Sequence, residues 1–312
     1  PIPLKEAEGK VLYGWFDNHL CYISTTIKHL ESKGVDGKRF WNSAKIFHFI
    51  GKDIVYHHYL FLPAMRMGLD EEYALPTAIP TRGHLLLQGQ KFSKSRGWYV
   101  SLKEFLEHFP ADYLRYYLSS ITPYSQTDVN FDWKEFASKI NNELVANIGN
   151  FVYRTLSFIY TRLDAKIPHP NEPDKLDTEL INKIEETTLS AGIYIERNEI
   201  DRGLKAIVEL STHCNQYFQR KEPWKRSENV ENCLYYAANA TRSLAILLHP
   251  YIPHSTEDLW RYLALEGTVG EQRWDSAKEL LIKPNHRILE PKILFRKVSE
   301  DELKPWLERL SG

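Results

Sequence analysis

KIFHFIGKDIVYHHYLFLPAMRM, residues 45–67, passes from an apolar run through a glycine and an acid into apolar residues at helical spacing. It reads as a buried strand over KIFHFIG (45–51), followed by a helix from Asp53 to about Met67. A strand leading directly into a helix is the repeating unit of parallel sheets, which bind ligands at the carboxyl ends of their strands. Gly51 and Asp53 stand at that end.

Outward from this stretch the alternation continues. VLYGWF (11–16) reads as a strand, Tyr22 to about Lys33 as a helix, and TAIPTRGHLLL (77–87) as a strand pair or bend. From Ser101 onward the character turns helical, with helices expected at 102–108, 111–121, 133–164, 176–197, 200–221 and 228–248, and short ones near 256–265 and 300–310. Ser101-x-x-Glu104 and Ser255-x-x-Asp258 resemble capping boxes, and PHPNEPD (168–174) reads as a turn between helices. The architecture is therefore part of an α/β nucleotide-binding domain, a connector near 98–140 and an antiparallel helical bundle from about 141.

Composition sets the outer bounds. The chain has 312 residues, 43% of them hydrophobic, which is enough for more than one core. Forty Lys and Arg against 41 Asp and Glu give a net charge of -1, so any contact with a polyanion must come from local patches. Cys21, Cys214 and Cys233 are odd in number and form no CxxC pair, which argues against a disulfide framework and a cysteine zinc site. A reducing, cytoplasmic setting is expected, with no membrane contact, since no stretch approaches 18 consecutive apolar residues. Because the sequence opens with Pro1 and runs straight into an apolar stretch, it is expected to be a piece of something longer.

GQKFSKSRG (89–97) sets Lys91 and Lys94 three residues apart, with Ser93 and Ser95 beside them and glycines at both ends. Mobile ammonium groups, hydroxyls and a permissive backbone suit a triphosphate, but the GxxxxGK[ST] spacing of a Walker loop is missing. Read alone, the run favours a solvated basic loop, as most charge runs do.

Its surroundings carry a resemblance. KFSKS, with Phe92 in place of methionine, is similar to the KMSKS loop of class I aminoacyl-tRNA synthetases. HFIGKDIVYHH, LPTAIPTRGHLLLQGQKFSKSRG, DYLRYYLSS, FASKINNELVANIGNFVYRT and KEPWK together resemble the methionyl-tRNA synthetase family over nearly the whole chain. The resemblance implies an α/β plus all-α fold: the C-terminal half of a Rossmann-like class I catalytic domain (1–97), a stem-contact connector (98–140), a helical anticodon-binding domain (141–297) and a C-terminal helix packing back on the core (298–312).

The resemblance also implies roles. Lys94, assisted by Lys91, would hold the β- and γ-phosphates of ATP, and Gly51, Asp53, Ser93 and Ser95 would bind the nucleotide, with Mg²⁺ bridging its phosphates. Trp15, Tyr22, Ile54 and His58 would line the methionine pocket, and Asn150, Arg154 and Trp224 would read the anticodon of the methionine-accepting tRNA. Read without it, Asp53 is an ordinary helix N-cap, Trp15 and Ile54 core residues, His58 a satisfied helix histidine and Trp224 a bundle aromatic. Lys221, Lys225 and Arg226 either reach phosphates or form a solvated helix end.

Two departures stand out. FDNHLC (16–21) occupies the place where the family has a small glycine-containing stretch such as FDAPIG, so Asn18, His19 and Cys21 bear on amino-acid specificity and on competence. The HIGH tetrapeptide and the usually zinc-binding connective domain of such enzymes have no counterpart in these residues. The expectation is an enzyme that joins methionine to tRNA only with an N-terminal half, on a longer chain or a second polypeptide; the alternative is a non-catalytic tRNA-binding module.

Overall fold

A computed structural model describes residues 4–69, 71–225 and 230–310. The chain divides into two compact units, one built from Pro1–His84 with Ser125–Asp128 and the other from Leu85–Tyr124 with Val129–Gly312.

In the first unit, helix α1 (Gly14–Glu31) is followed by α2 (Gly37–Ser43), whose first turn is capped by the Asp36 carboxylate accepting from the Arg39 amide at 2.9 Å. Strand β1 (Ile50–Gly51) pairs in parallel with β2 (Thr81–Arg82), and a bridge between Phe47 and Ala78 prolongs the pairing toward the amino ends. Beyond β1 the chain winds tightly over Lys52–Ile54, widely over His57–Phe61, and ends as α3 (Leu62–Met67). The expected strand-to-helix passage is therefore present, with the ladder shorter than KIFHFIG suggested.

The run VLYGWF departs from its expected strand. Residues 11–13 form no ladder, and Gly14 already opens α1, eight residues before the helix start expected at Tyr22. Apolar and aromatic residues favour a strand only where a neighbouring strand accepts their backbone groups, and residues 11–13 have none.

In the second unit, β3 (Leu85–Leu87) pairs antiparallel with β4 (Gln90–Lys91) and parallel with β5 (Val129–Phe131). Helices α4 (Leu102–His108), α5 (Ala111–Ile121) and α6 (Trp133–Lys139) close an aromatic core of Phe105, Phe109, Tyr117, Phe131, Trp133 and Phe136 over this sheet. From Trp133 the helix continues through a widely wound segment, Ile140–Gly149, into α7 (Asn150–Arg162), matching the single long helix expected at 133–164. Helices α8 (Lys175–Glu196), α9 (Ile200–Lys221) and α10 (Val230–Leu248) complete the bundle, and almost every residue of α10 is buried. The start once expected at 228 lies outside the described residues.

Helices α11 (Pro253–Tyr262) and α12 (Glu300–Arg309) follow. Ser101 caps α4 as expected, but Ser255 caps nothing. It lies inside α11, where its amide and hydroxyl donate to the Asp112 carboxylate at 2.6 and 2.7 Å, because Pro253 already occupies the first turn. Trp306 of α12 packs on Trp133 with ring centroids 4.7 Å apart, and a reciprocal Ser299–Glu302 box starts the helix. Ser299→Ala should cost about 1 kcal/mol, read as a lower thermal midpoint; an unchanged midpoint would mean the cap contributes nothing in solution.

Candidate functional site

In the first unit, α1 and the widely wound segment after β1 bring a dense group of rings together. Trp15 stacks on His57 at 4.3 Å between centroids, and His19 lies 5.0 Å from His58 and 5.4 Å from Trp15. Tyr22 sits 4.8 Å from His48, and its hydroxyl is 3.2 Å from His58 Nε2. His58 Nδ1 is 3.1 Å from the Ile54 carbonyl, which can only accept, so Nδ1 carries the proton and Nε2 accepts from Tyr22. Trp15, Tyr22, Ile54 and His58 are thus joined by contact, with His58 wholly buried and Trp15 and Ile54 half-buried.

The polar atoms of this group are poorly matched. Both ring nitrogens of His19, Nε2 of His48, Nδ1 of His57, and Nε and Nη2 of Arg66 are buried without a hydrogen-bond partner among the described residues. Burial, then His58, His57 and Arg66, push the His19 pKa down to about 4. Burial, then Arg66, His58 and His19, hold His48 at about 4 as well. Arg66 itself is lowered by burial to about 10 and lies over the Trp41 ring at 5.0 Å, with one bond, to the Ala74 carbonyl.

At the end of β1, a Cβ placed on Gly51 would lie 2.5 Å from Asp53 Oδ1, so only glycine lets that carboxylate fold back over the strand end. Asp53 caps no backbone amide, which disposes of the ordinary N-cap reading. It is exposed, and its carboxylate lies 3.5 Å from His84 Nε2.

In the second unit, the lysine loop grows from a hairpin. Gln88 and Gly89 have φ of 49° and 79°, the left-handed pair that a two-residue turn between twisted strands demands. The Gly89 amide is held at 2.6 Å by Asn130 Oδ1 and the Gln88 amide at 2.9 Å by the Phe131 carbonyl. Ser93 and Trp98 exchange backbone hydrogen bonds at 2.8 and 2.9 Å, and the Trp98 indole donates to the Leu87 carbonyl at 2.9 Å. Between these anchors, the Gly97 amide donates to the Lys94 carbonyl at 3.2 Å, and the hydroxyls of Ser93 and Ser95 are 3.2 Å apart. Lys91 and Lys94 are exposed, and among the described residues no carboxylate comes within ion-pair distance of either. Two free ammonium groups on an anchored turn can receive a polyanion without first breaking an ion pair.

The bundle of the same unit holds the third group. The Arg154 guanidinium lies over Phe218 at 4.9 Å and over Trp224 at 5.5 Å, and Trp224 is half-buried. Asn150, one turn earlier on α7, is exposed and reaches Asn215 Oδ1 at 3.5 Å. Lys221 is not a phosphate-reaching surface lysine. Its ammonium is buried between Asp174 and Asp177, at 2.7 Å from each. Lys225 pairs with Glu222 at 2.7 Å, and Arg226 lies outside the described residues.

Sequence reasoning missed His48, His57 and Arg66 as members of the ring cluster, and it missed the burial of Lys221. The adjacent His57-His58 and the polar FDNHLC stretch were the available signals; nothing in KEPWK marks its first lysine as buried. Among the described residues no three His, Cys, Asp or Glu side chains are grouped to hold a metal, and no helix is long and apolar enough to cross a membrane.

Residues 1–156 match the family model of class I (M) tRNA synthetases, and residues 167–312 that of the anticodon-binding domain of methionyl-tRNA ligase. The methionine–tRNA ligase of Methanopyrus kandleri is 42% identical over 97% of this chain and 45% of its own length. That of Pyrococcus abyssi is 36% identical over 97% of this chain and 44% of its own. The chain spans about half the length of the curated relatives it matches. Among solved structures, Mycobacterium tuberculosis methionyl-tRNA synthetase bound by methionyl-adenylate superposes with a TM-score of 0.82 at 24% identity, over 92% of this chain and 56% of that one. The fold is thus that of a Rossmann-like half followed by a helical anticodon domain.

Proposed function

The chain belongs to the methionyl-tRNA synthetase family, and from that premise we propose that it is the C-terminal part of an enzyme that activates methionine with ATP and transfers it to the 3' end of its tRNA. The observation that carries this reading is the anchored loop with Lys91 and Lys94 exposed and, among the described residues, unpaired. The methionine carboxylate attacks the α-phosphorus, the α–β bridging bond breaks, and its electron pair leaves with pyrophosphate. Lys94, helped by Lys91, holds that departing charge, while Ser93 and Ser95 offer hydroxyls to the phosphates. Gly51 keeps the end of β1 open and Asp53 binds the ribose hydroxyls. The residues fit a nucleotide, since the exposed Asp53 carboxylate lies against Gly51 at the end of β1, where it offers an acceptor to ribose hydroxyls. Mg²⁺ bound with the nucleotide would supply neutralisation of phosphate charge beside Lys94 and Lys91. The terminal ribose of tRNA then attacks the methionyl carbonyl and AMP leaves.

Trp15, Tyr22, Ile54 and His58 are assigned to the methionine side chain, with the Ile54 carbonyl fixing the imidazole tautomer and leaving Nε2 to accept from Tyr22. Asn150, Arg154 and Trp224 are assigned to the anticodon, with Trp224 as stacking plane and Arg154 laid over it. The 1–97, 98–140, 141–297 and 298–312 division is kept as the functional one. A cytoplasmic setting agrees with three free cysteines.

An N-terminal half is assigned as partner on two grounds: the relatives are about twice as long, and the first unit leaves Phe47, Phe49, Tyr56, Tyr59 and Leu60 between 45% and 66% exposed. Phe47 and Phe49 lead into β1, and Tyr56, Tyr59 and Leu60 lie on the helical segment after it; so much exposed apolar surface on one unit fits a partner surface. ATP–pyrophosphate exchange, with the N-terminal half supplied on the same chain or separately, tests the reading: methionine-dependent exchange supports it, and its absence in the assembled protein sinks it. A non-catalytic tRNA-binding module is the second reading, favoured by the buried His19 ring against Trp15 and His58. Binding of tRNA with no exchange would select it. Trp224→Ala should weaken tRNA binding by about 1–3 kcal/mol and leave pyrophosphate exchange intact; a loss of both would remove Trp224 from anticodon reading.

A further inference from the structure

Lys221 ends α9 three residues before Trp224, with its side chain 2% exposed. Its ammonium bonds Asp174 and Asp177, the two residues of the capping box that starts α8. Asp177 also accepts from the Tyr217 hydroxyl at 2.6 Å and from Asn232 Nδ2 of α10 at 3.1 Å. Asn232 in turn donates to the Glu172 carbonyl at 3.0 Å and accepts from the Asn171 amide at 2.6 Å. One buried cation therefore ties together the start of α8, the end of α9 and the start of α10.

The residue after Lys221 is in an unusual state. Glu222 has φ 46° and ψ 56°, a left-handed conformation that a long L side chain rarely adopts, and its carbonyl accepts from the Lys225 amide at 2.8 Å. Pro223 follows, buried, and then the half-buried Trp224 under Arg154. Such a backbone persists only where its surroundings over-determine it, and the Lys221 network is the anchor on its helical side. Buried ion pairs seldom add stability over an apolar core of the same shape, so a role in fixing geometry accounts for this one better.

We propose that Lys221 is a positioning residue for anticodon reading: by clamping the end of α9 to Asp174 and Asp177 it sets the left-handed turn that presents the Trp224 ring to an unstacked base. The proposal rests on the reading that this bundle binds the anticodon. Its test is fluorescence anisotropy of the whole chain with two labelled RNA hairpins, one carrying the methionine anticodon CAU and one with its first base changed. Lys221→Met should reduce the preference for the CAU hairpin about tenfold or more while leaving binding to the altered hairpin, which rests on phosphate contacts, within about twofold. Lys221→Arg should recover part of the preference. Added to Trp224→Ala, Lys221→Met should cause no further loss, because both changes act through one ring. A preserved preference, an equal loss on both hairpins, or an additive loss with Trp224→Ala would overturn the proposal. Should Lys221→Met fail to fold, Tyr217→Phe, which removes one bond to Asp177, should lower the preference about threefold, and an unchanged preference would overturn it as well. A wild-type chain that does not distinguish the hairpins would overturn the anticodon reading and this proposal together; discrimination by wild type and by Lys221→Met alike would overturn this proposal alone.

Discussion

Lys94→Ala, in the enzyme assembled with its N-terminal half, is expected to slow adenylate formation about 10²- to 10³-fold, roughly 2.7–4 kcal/mol of transition-state stabilisation. The loss should fall on kcat, with methionine affinity changed by less than about threefold. The reasoning is electrostatic. Charge moves onto pyrophosphate only as the α–β bond breaks, so an ammonium placed there gains more in the transition state than in the ground state. Lys94 suits this because it sits on the turn closed by the Gly97 amide and has no carboxylate partner among the described residues, so neither rearrangement nor ion-pair breakage precedes its use. Lys91 belongs to the β3–β4 ladder opposite Leu86 and should show the smaller effect on substitution. Pyrophosphate exchange at saturating methionine, beside equilibrium methionine binding, separates the two quantities. Equal losses in both would refute the assignment.

The second large effect is on stability in acid. His19 and His48 hold pKa values of about 4 in the folded chain, against the usual 6.5. Their folded values are depressed, so between pH 6.5 and 4 the unfolded chain binds protons that the folded chain refuses. Stability therefore falls as pH drops through that window, by about 1.4 kcal/mol per pH unit for each imidazole. Two of them acting over most of the window cost several kcal/mol, a large share of the ~5–15 kcal/mol that holds a domain. The groups facing them are His57, His58, Arg66 and Tyr22, and none is a carboxylate that would offset the charge. Asp174, Glu104 and Glu302 of the second unit have carboxyl pKa values lowered from 3.8, 4.5 and 4.5, so their contributions are lost only as pH falls below those ordinary values, at the acid end of this window and beyond it. Amide protection factors in α1, corrected for the intrinsic pH dependence of exchange, should thus fall between pH 6.5 and 4 while those of α9 hold. His19→Leu should halve the slope for α1; an unchanged slope would exclude His19 as a source.

Much of this architecture could be read ahead of the structure, and the reason differs by region. Helices in the second half carry their own boundaries: Ser101, Asp174 and Ser299 as caps, and prolines before α5 and within the first turn of α11. Local chemistry suffices for such elements. VLYGWF was misread because its residue types suit a strand, whereas a ladder needs a partner that no local pattern can announce. The buried state of Lys221 was invisible for the same reason, since its partners lie 44 and 47 residues away in the chain. The members of the ring cluster at Trp15, Tyr22 and His58 were found through resemblance rather than through periodicity. His48 and Arg66 joined them only once the helices were packed.

The way the first unit is assembled from the chain has a practical consequence. It takes residues up to His84 and then, after forty residues spent elsewhere, reclaims Ser125–Asp128. That returning segment is a clasp: Asp128 bonds the Lys52 ammonium at 2.7 Å and the His84 amide at 2.8 Å, and the Ser125 carbonyl accepts from the Gly83 amide at 3.2 Å. During synthesis the ribosome must therefore deliver β3, β4, α4 and α5 before the first unit can be latched. A single protease cut after residue 84 would not free it intact, and a gene split at that point would leave its last four residues on the wrong polypeptide.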